Sequence, residues 1–430
     1  MLKRLLPCSV ATLLAAASAS GQCAPRWQPG AAFASHINGN VAALLPWDPD
    51  GAGPQPSVLV VAGSFTMIGT TSIHRLALWN GSSWSPLGTP LPFTPACLAV
   101  FQGDLIAAGH LNGPPGAISA IARWDGSAWQ PMGAGFNDSV LALQVVGNQL
   151  FAGGFFSASG ALPLSRVAVW DGGKWANVGG GVTAGQAFPS VNALANYNGH
   201  LIAGGFFSAA GGAPASHIAR WDGQQWHALG AGVAPSVMAL GTFAGDLIAA
   251  GSFDTAGGAP ASRIARWDGL AWSPIGGGMN QSVAALTIAG DRLVAAGFFN
   301  TAGGIAARRV ATWDGVAWSG LGSGMLSSFG PEAANVKALA SFHGEIIAGG
   351  FFTSAGGEPS MNAARWSCDC YANCDGSSTA PTLNINDFVC FLGLFAAGDL
   401  AANCDGSFTT PMLTVNDFTC FLNKFAAGCE

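Results

Sequence analysis

The sequence predicts an all-β protein: a seven-bladed β-propeller of four-stranded blades, followed by a small disulfide-rich module with two helical repeats. Three observations carry this: a tryptophan period near 46, a strand-and-turn pattern inside each period, and an abrupt change of composition at Ser367. The first Trp of each unit is Trp79, Trp124, Trp170, Trp221, Trp267, Trp313 and Trp366, at intervals of 45, 46, 51, 46, 46 and 53 residues. A second Trp follows five residues later in six of the seven, at Trp84, Trp129, Trp175, Trp226, Trp272 and Trp318. A fixed period of this length with strand-like segments marks a propeller or a solenoid.

Taken in order, the chain opens on Lys3 and Arg4, an apolar run from Leu5 to Ala17, and the small residues Ser18 to Gly21. A basic start, a short apolar core and a small-residue exit read as a secretory signal, residues 1–21, cleaved near Ser20 to Gln22. No later apolar run is long enough to span a bilayer, so no transmembrane segment is expected in the mature chain. Export to the extracellular space or cell surface follows.

Residues 22–367 are expected to form the propeller. In the unit around Trp221 the strands read Val191 to Tyr197, Leu201 to Phe207, His217 to Trp221, and Gln225-Trp226 to Leu229-Gly230. Asn198-Gly199 and Asp222-Gly223 separate them and favour tight hairpin turns, both central residues taking positive φ. Ser208 to Pro214 reads as a loop. Phe65, Phe156, Phe207, Phe253, Phe299 and Phe352 lie fourteen residues before the first Trp, placed to fill the space between sheets. Gly204 and Gly205 suit close approach of backbones near the axis.

The ends argue for closure. The last unit stops at Trp366 with no Trp five residues on, and Trp27-Gln28-Pro29-Gly30 resembles the missing fourth strand. Splitting one blade between the two ends removes both free edges. Extra residues occur at Asp48–Gln55, near Thr183–Pro189 and near Ser327–Asn335. The last two lie between a fourth strand and the next first strand, on one common rim. Exposed aromatic residues around these three segments would mark a glycan or protein ligand site, and Phe188 and Phe329 are the aromatics they offer.

These features resemble bacterial secreted propellers of the kelch-like or galactose-oxidase-like kind, through the Ala-Gly-Gly-Phe-Phe, Ala-Arg-Trp-Asp-Gly and Leu-Gly-x-Gly segments over residues 27–367. No copper-ligand set of the galactose-oxidase type is assignable.

Residues 368–430 hold seven of the ten cysteines and two copies of one motif thirty residues apart. Asn373-Cys374-Asp375-Gly376 leads to Asn384 and Asp387, and Asn403-Cys404-Asp405-Gly406 leads to Thr414 and Asp417. Each copy ends in an amphipathic helix, Phe388, Phe391, Leu392 and Phe395 sharing one face of the first and Phe418, Phe421, Leu422 and Phe425 one face of the second, so that pairing the two faces makes a small core. Oxygen donors two apart followed by Gly suit a hard cation, so Asn373, Asp375, Asn384, Asp387, Asn403, Asp405, Thr414 and Asp417 are the expected calcium ligands. A metal-free, disulfide-held helix pair is the alternative. The module resembles a cysteine-containing dockerin of the planctomycete type, a duplicated EF-hand-like fold. That resemblance implies a cohesin-like protein or cell-surface scaffold as partner. Two departures stand out: Tyr371 and Ala401 occupy the first loop position, and about five extra residues lengthen each loop.

Cysteine usage fits export. Cys97 stands alone in a predicted strand as a buried free thiol. Cys23, Cys368, Cys370, Cys374, Cys390, Cys404, Cys420 and Cys429 are disulfide candidates. Cys374 with Cys390 and Cys404 with Cys420 is the repeat-symmetric choice, and Cys23 could reach Cys368 or Cys370.

A net charge of −6 with four lysines argues against nucleic acid, which needs a basic face. The Gly179-Gly180-Gly181 and Gly276-Gly277-Gly278 clusters read as turns. The repeated arginines read as blade-stabilising. The histidines show no metal spacing, and no catalytic residue or cofactor is assigned within the propeller. Asp48, Asp50, Asp138, Asp254 and Glu332 depart from the repeat without pairing, so an enzyme acting on glycans (hydrolase, lyase or oxidase) stays an alternative. The expected function is non-catalytic binding or surface display, with a purely structural surface protein as a further alternative.

Overall fold

A computed structural model describes residues 25–28, 33, 36–51, 53, 55–111, 120–185, 188–330, 332–367, 385–396, and 415, 418, 419, 421, 422 and 425. The chain divides into a compact unit, Arg26–Ser367, and a second unit drawn from the segments on either side of it.

Arg26–Ser367 holds seven four-stranded antiparallel sheets. The fourth sheet is representative, with strands Ser190–Tyr197, His200–Phe206, Ile218–Trp221 and Trp226–Ala228 in sequence order. The seventh is discontinuous. Its strands Asn335–Phe342, Glu345–Phe351 and Ala363–Ser367 are completed by Arg26–Trp27, with Trp27 opposite Trp366. The first strand of the first sheet, Val41–Trp47, lies beside both Phe93–Phe101 of the second and Asn335–Phe342 of the seventh.

Each apolar core lies between two neighbouring sheets. The six phenylalanines fourteen residues before the Trp are fully buried there. One core joins Val41, Leu59 and Val61 of the first sheet to Ala338, Phe342 and Ile347 of the seventh. At that seam a Cβ on Gly349 would stand 2.4 Å from Val41 Cγ1, a distance no real side chain tolerates. Glycine there lets the two strands close together.

Tryptophans tie the sheets laterally. The two Trp of a unit face each other across the third and fourth strands with ring centroids 5.1–5.5 Å apart. The fourth-strand indole also donates to a carbonyl of the preceding sheet, as Trp226 Nε1 does to Val178 O at 2.9 Å and Trp272 Nε1 to Leu229 O at 2.8 Å. Trp27 does both. It sits 5.3 Å from Trp366 and donates to Leu321 O at 2.9 Å.

Two local expectations are corrected. Asn198-Gly199 is a two-residue hairpin turn with both residues at positive φ, but the Asp-Gly turns are four-residue loops, since Trp221 pairs directly with Trp226. Only their glycine takes positive φ, and Asp222 Oδ1 instead accepts the amides of Gln224 and Gln225, both at 2.8 Å. Ser208 to Pro214 is not a plain loop. Ala209–Ala210 and Ala213–Pro214 form a small hairpin, and Val182–Thr183, from the end of the preceding unit, pairs onto it. The hairpin at Thr255–Ala256 is joined in the same way by Val233–Ala234, and that at Ser354–Ala355 by Met325–Leu326.

In the second unit, helix α1 spans Ile385–Ala396, and helical residues recur between 415 and 425. Phe391 and Phe421 are buried and stack at 4.1 Å, with Phe388 and Phe418 edge-on at 6.1 Å. Leu392 and Leu422, assigned to the same faces, are exposed. No helix among the described residues is long and apolar enough to cross a membrane.

Candidate functional site

The repeated polar residues are used up by the fold. Four positions before the first Trp, Arg75, Arg166, His217, Arg263, Arg309 and Asn362 all adopt positive φ. Each brackets the end of the second strand. The Arg309 amide donates to Phe299 O at 2.7 Å while its carbonyl accepts from Gly297 at 3.0 Å. The Arg309 guanidinium, buried, bonds Phe298 O, Phe299 O and Asn300 Oδ1. Arg166 Nε reaches Pro189 O at 3.1 Å, and Asn362 Nδ2 reaches Ile37 O at 2.7 Å. Three of the four arginines just before Trp pair with a carboxylate across the sheet, Arg123 with Asp104 at 3.1 Å, Arg266 with Asp246 at 3.5 Å and Arg365 with Glu345 at 3.5 Å. Gly179, at φ +52°, packs under the ring of Trp221, where a Cβ would lie 2.1 Å from the indole.

Two grooves follow the same logic. One of about 500 Å³ lies against Asp104, Arg123 and Trp170, and one of about 250 Å³ against Asp246, Arg266 and Trp313. They are equivalent seams between neighbouring sheets and repeat the same chemistry. The individual chemistry lies elsewhere.

Every first strand carries a β-bulge at one position, and its register skips Ala42, Ala96, Leu141, Asn192, Met238, Ala284 and Lys337. A bulge frees one residue from the ladder and re-aims its side chain. All seven of these residues line a single cavity of about 520 Å³. The skipped residue is where the units differ most: three alanines, two larger apolar residues, one amide and one ammonium. Asn192 spends its Nδ2 on Val237 O at 2.9 Å. Lys337 is exposed into the opening.

Above this ring lie Asn40, Ser64, Thr94, His110 and Phe298. Ser64, His110, Phe155, Phe206, Ser252, Phe298 and Phe351 occupy equivalent places, each following the glycine that lies opposite the residue just before the bulge. Phe155 and Phe206 are 40% and 36% exposed. Phe188 (88% exposed) and Phe329 (73%) project from the lengthened loops at the same end, and Phe329 stacks on Phe351 at 5.9 Å. The opening is thus a concave, largely apolar cavity with a few polar groups and an aromatic margin, the usual form of a ligand site. His110 Nδ1 lies 3.2 Å from Ser139 Oγ. Its imidazole is held below the ordinary value by partial burial, then by the Lys337 ammonium, against the opposing pull of Asp138.

The sequence expectations distribute unevenly over this geometry. Phe188 and Phe329 fall at the opening. Asp48–Gln55 does not: it joins the first and second strands of its sheet and so emerges at the opposite end. Asp254 pairs with Arg263 and Glu332 with Arg309, while Asp50 accepts the Gln55 amide at 3.1 Å. These carboxylates do not converge. Among the described residues no group of three or more His, Cys, Asp or Glu could hold a metal. Cys97, a free thiol, is half-buried in the first strand of its sheet, its Sγ 3.6 Å from Ala108 O, and burial pushes its pKa far up. Outside the described residues lie Asn373, Asp375, Asn384, Asn403, Asp405, Thr414 and Asp417, and so do Cys23, Cys368, Cys370, Cys374, Cys404, Cys420 and Cys429. The side chains of Asp387 and Cys390 lie outside them too. Sequence reasoning missed the ring of bulge residues and the first residue of each Phe-Phe pair, exposed at Phe155 and Phe206 and half-buried at Phe298 and Phe351.

No protein-family model and no curated protein matches the chain. Among solved structures, it is similar to the extracellular domain of a hybrid two-component system from B. thetaiotaomicron, at TM-score 0.51 and 9% identity. That match covers 80% of this chain and 39% of the other, so the chain spans about two fifths of that domain's length. A weaker likeness, at TM-score 0.46 and 13% identity, is to the WD40 β-propeller domain of Doa1, covering 83% of this chain and 99% of that one. The four-stranded sheets, whose first strands each lie beside those of two neighbouring sheets, give the body between Arg26 and Ser367 a β-propeller character.

Proposed function

We propose that the protein is an exported, non-catalytic binding propeller, closed as seven blades, whose ligand surface is the axial opening. The observation that carries this reading is the cavity to which all seven sheets contribute one bulge residue each, under a margin of exposed phenylalanines. Closure is supported by Trp27, which makes in the seventh sheet the ring contact and the hydrogen bond of its intrachain counterparts. Closure matters for binding, because a ring sealed by sheet pairing holds seven side chains at fixed spacing and so pre-organises the opening. An extracellular setting accords with the signal-like residues 1–21 and with the extracellular origin of the similar domain.

Residues 368–430 act in this reading as a dockerin-like anchor for a cohesin-like or cell-surface partner. Its donor set is Asn373, Asp375, Asn384 and Asp387 in one copy and Asn403, Asp405, Thr414 and Asp417 in the other. All are oxygen ligands, as calcium requires.

Two readouts on the full-length chain separate these halves. Calorimetric titration is expected to give calcium binding near about two ions per chain, lost in the Asp375→Ala/Asp405→Ala double variant; absence of heat overturns the anchor. Retention on arrayed glycans and peptides in excess chelator reports the propeller, and its complete absence overturns the binding reading.

A further inference from the structure

Among the seven bulge residues lining the axial opening, Lys337 is the one that carries charge. It makes no ion pair with any described residue. An ammonium held at the mouth of an apolar cavity attracts an anion more strongly than one in open water, because the low-dielectric walls focus its field. A second nitrogen base, His110, lines the same cavity and feels the charge of Lys337.

Resting on the reading of the axial opening as the binding site, the geometry points to a small organic monocarboxylate as its ligand. Its carboxylate would lie between Lys337 and His110, and its carbon body would point inward past Leu141 and Met238. The charge count selects a monoanion. One permanent positive charge faces the cavity, with no arginine fork to grip a dianion, and Asp138 beside His110 repels further negative charge. The apolar bulge residues suit carbon rather than a hydrated phosphate. Asn192 Nδ2 is committed to Val237 O, so the amide contributes its oxygen, an acceptor for a ligand hydroxyl.

Linkage sets a pH signature. Burial and Lys337 hold the His110 pKa down, and Asp138 holds it up. A carboxylate bound beside the ring favours the imidazolium and raises that pKa. Binding therefore strengthens as pH falls toward the His110 titration, provided the ligand stays ionised.

The test uses the full-length chain with His110 ring resonances followed by NMR. The probes are hexanoate and D-glucuronate, with D-glucose and inorganic phosphate beside them. The expected result is that at least one carboxylate shifts the His110 signals with a Kd near or below about 1 mM, raises the His110 pKa, and loses about tenfold or more of its affinity in Lys337→Gln but not in Lys337→Arg. Failure of both carboxylates to move His110, an unchanged affinity in Lys337→Gln, or equal binding of phosphate would each overturn the inference. The underlying reading fails differently. If a neutral glycan binds and is displaced by Ala284→Trp while Lys337→Gln has no effect, the opening remains the site and only its anion preference is lost.

Discussion

Replacing Trp27 by Ala should cost as much stability as replacing Trp226, although Trp27 lies near the end of the folded body and Trp226 in its middle. Both indoles are buried, both face the first Trp of their sheet, at 5.3 and 5.5 Å, and both donate at 2.9 Å to a carbonyl of the preceding sheet. A buried Trp removes about 200 Å² from water, and at about 25 cal/mol per Å² that is an upper bound near 5 kcal/mol. Truncation of buried Trp costs about 3–5 kcal/mol in practice. The unit Arg26–Ser367 contains 342 residues by its bounds. At about 2.1 cal/mol/K per residue its unfolding entropy is roughly 0.7 kcal/mol/K, so each variant should melt about 4–7 °C lower. The assay is thermal unfolding of the full-length chain by near-UV circular dichroism, both variants in parallel. A Trp27→Ala protein within about 1 °C of the parent, beside a Trp226→Ala protein that falls as calculated, would refute the claim that the N-terminal strand completes the seventh sheet.

Gly349→Ala should destabilise by about 1–3 kcal/mol, since its methyl would meet Val41 Cγ1 across the seam of first and seventh sheets; urea unfolding measures it. In acid the turns should weaken. Backbone amide bonds, foremost those from Ala128, Lys174, Gln225, Ala271 and Ala317, hold the carboxyl groups of Asp125, Asp171, Asp222, Asp268 and Asp314 below the ordinary value. A depressed folded pKa contributes stability above the unfolded value, and that stability is lost as pH falls through the folded one. The melting temperature should therefore drop below about pH 4, and Asn at these five positions should flatten that drop. Cys97, its thiol pushed up by burial, should resist alkylation at neutral pH until the chain is unfolded; rapid labelling of the native protein would contradict its placement.

The strand repeat was legible because Trp, Phe and the Asp-Gly pairs recur with the period of the sheets they build. The small hairpins were not legible. Ser208 to Pro214 is rich in Gly and Ala, and its strand character comes from pairing with Val182–Thr183, a tertiary contact without a local signal. The opening was hidden for a related reason. A bulge shifts register by one residue, so Ala42 or Lys337 looks like one more strand residue until the ladder is seen to skip it. In Phe206-Phe207 the period assigns a place only to Phe207, which is buried, while Phe206 is turned outward at the end of its strand. Phe188 and Phe329 were found because their segments lengthen the repeat, and length is visible in a sequence. Asp48–Gln55 lengthens it too, but between a different pair of strands, which places it at the other end.

The most direct test of the axial opening as the working surface is retention on a glycan and peptide array, comparing the full-length chain with Ala284→Trp. Ala284 lines the cavity at the bulge of the sixth sheet, so the indole fills the opening while the seams between sheets stay untouched. The account predicts that whatever the parent chain retains in chelator, the filled variant loses, with an unchanged melting temperature. Identical retention by the two proteins would place the binding surface elsewhere and contradict it.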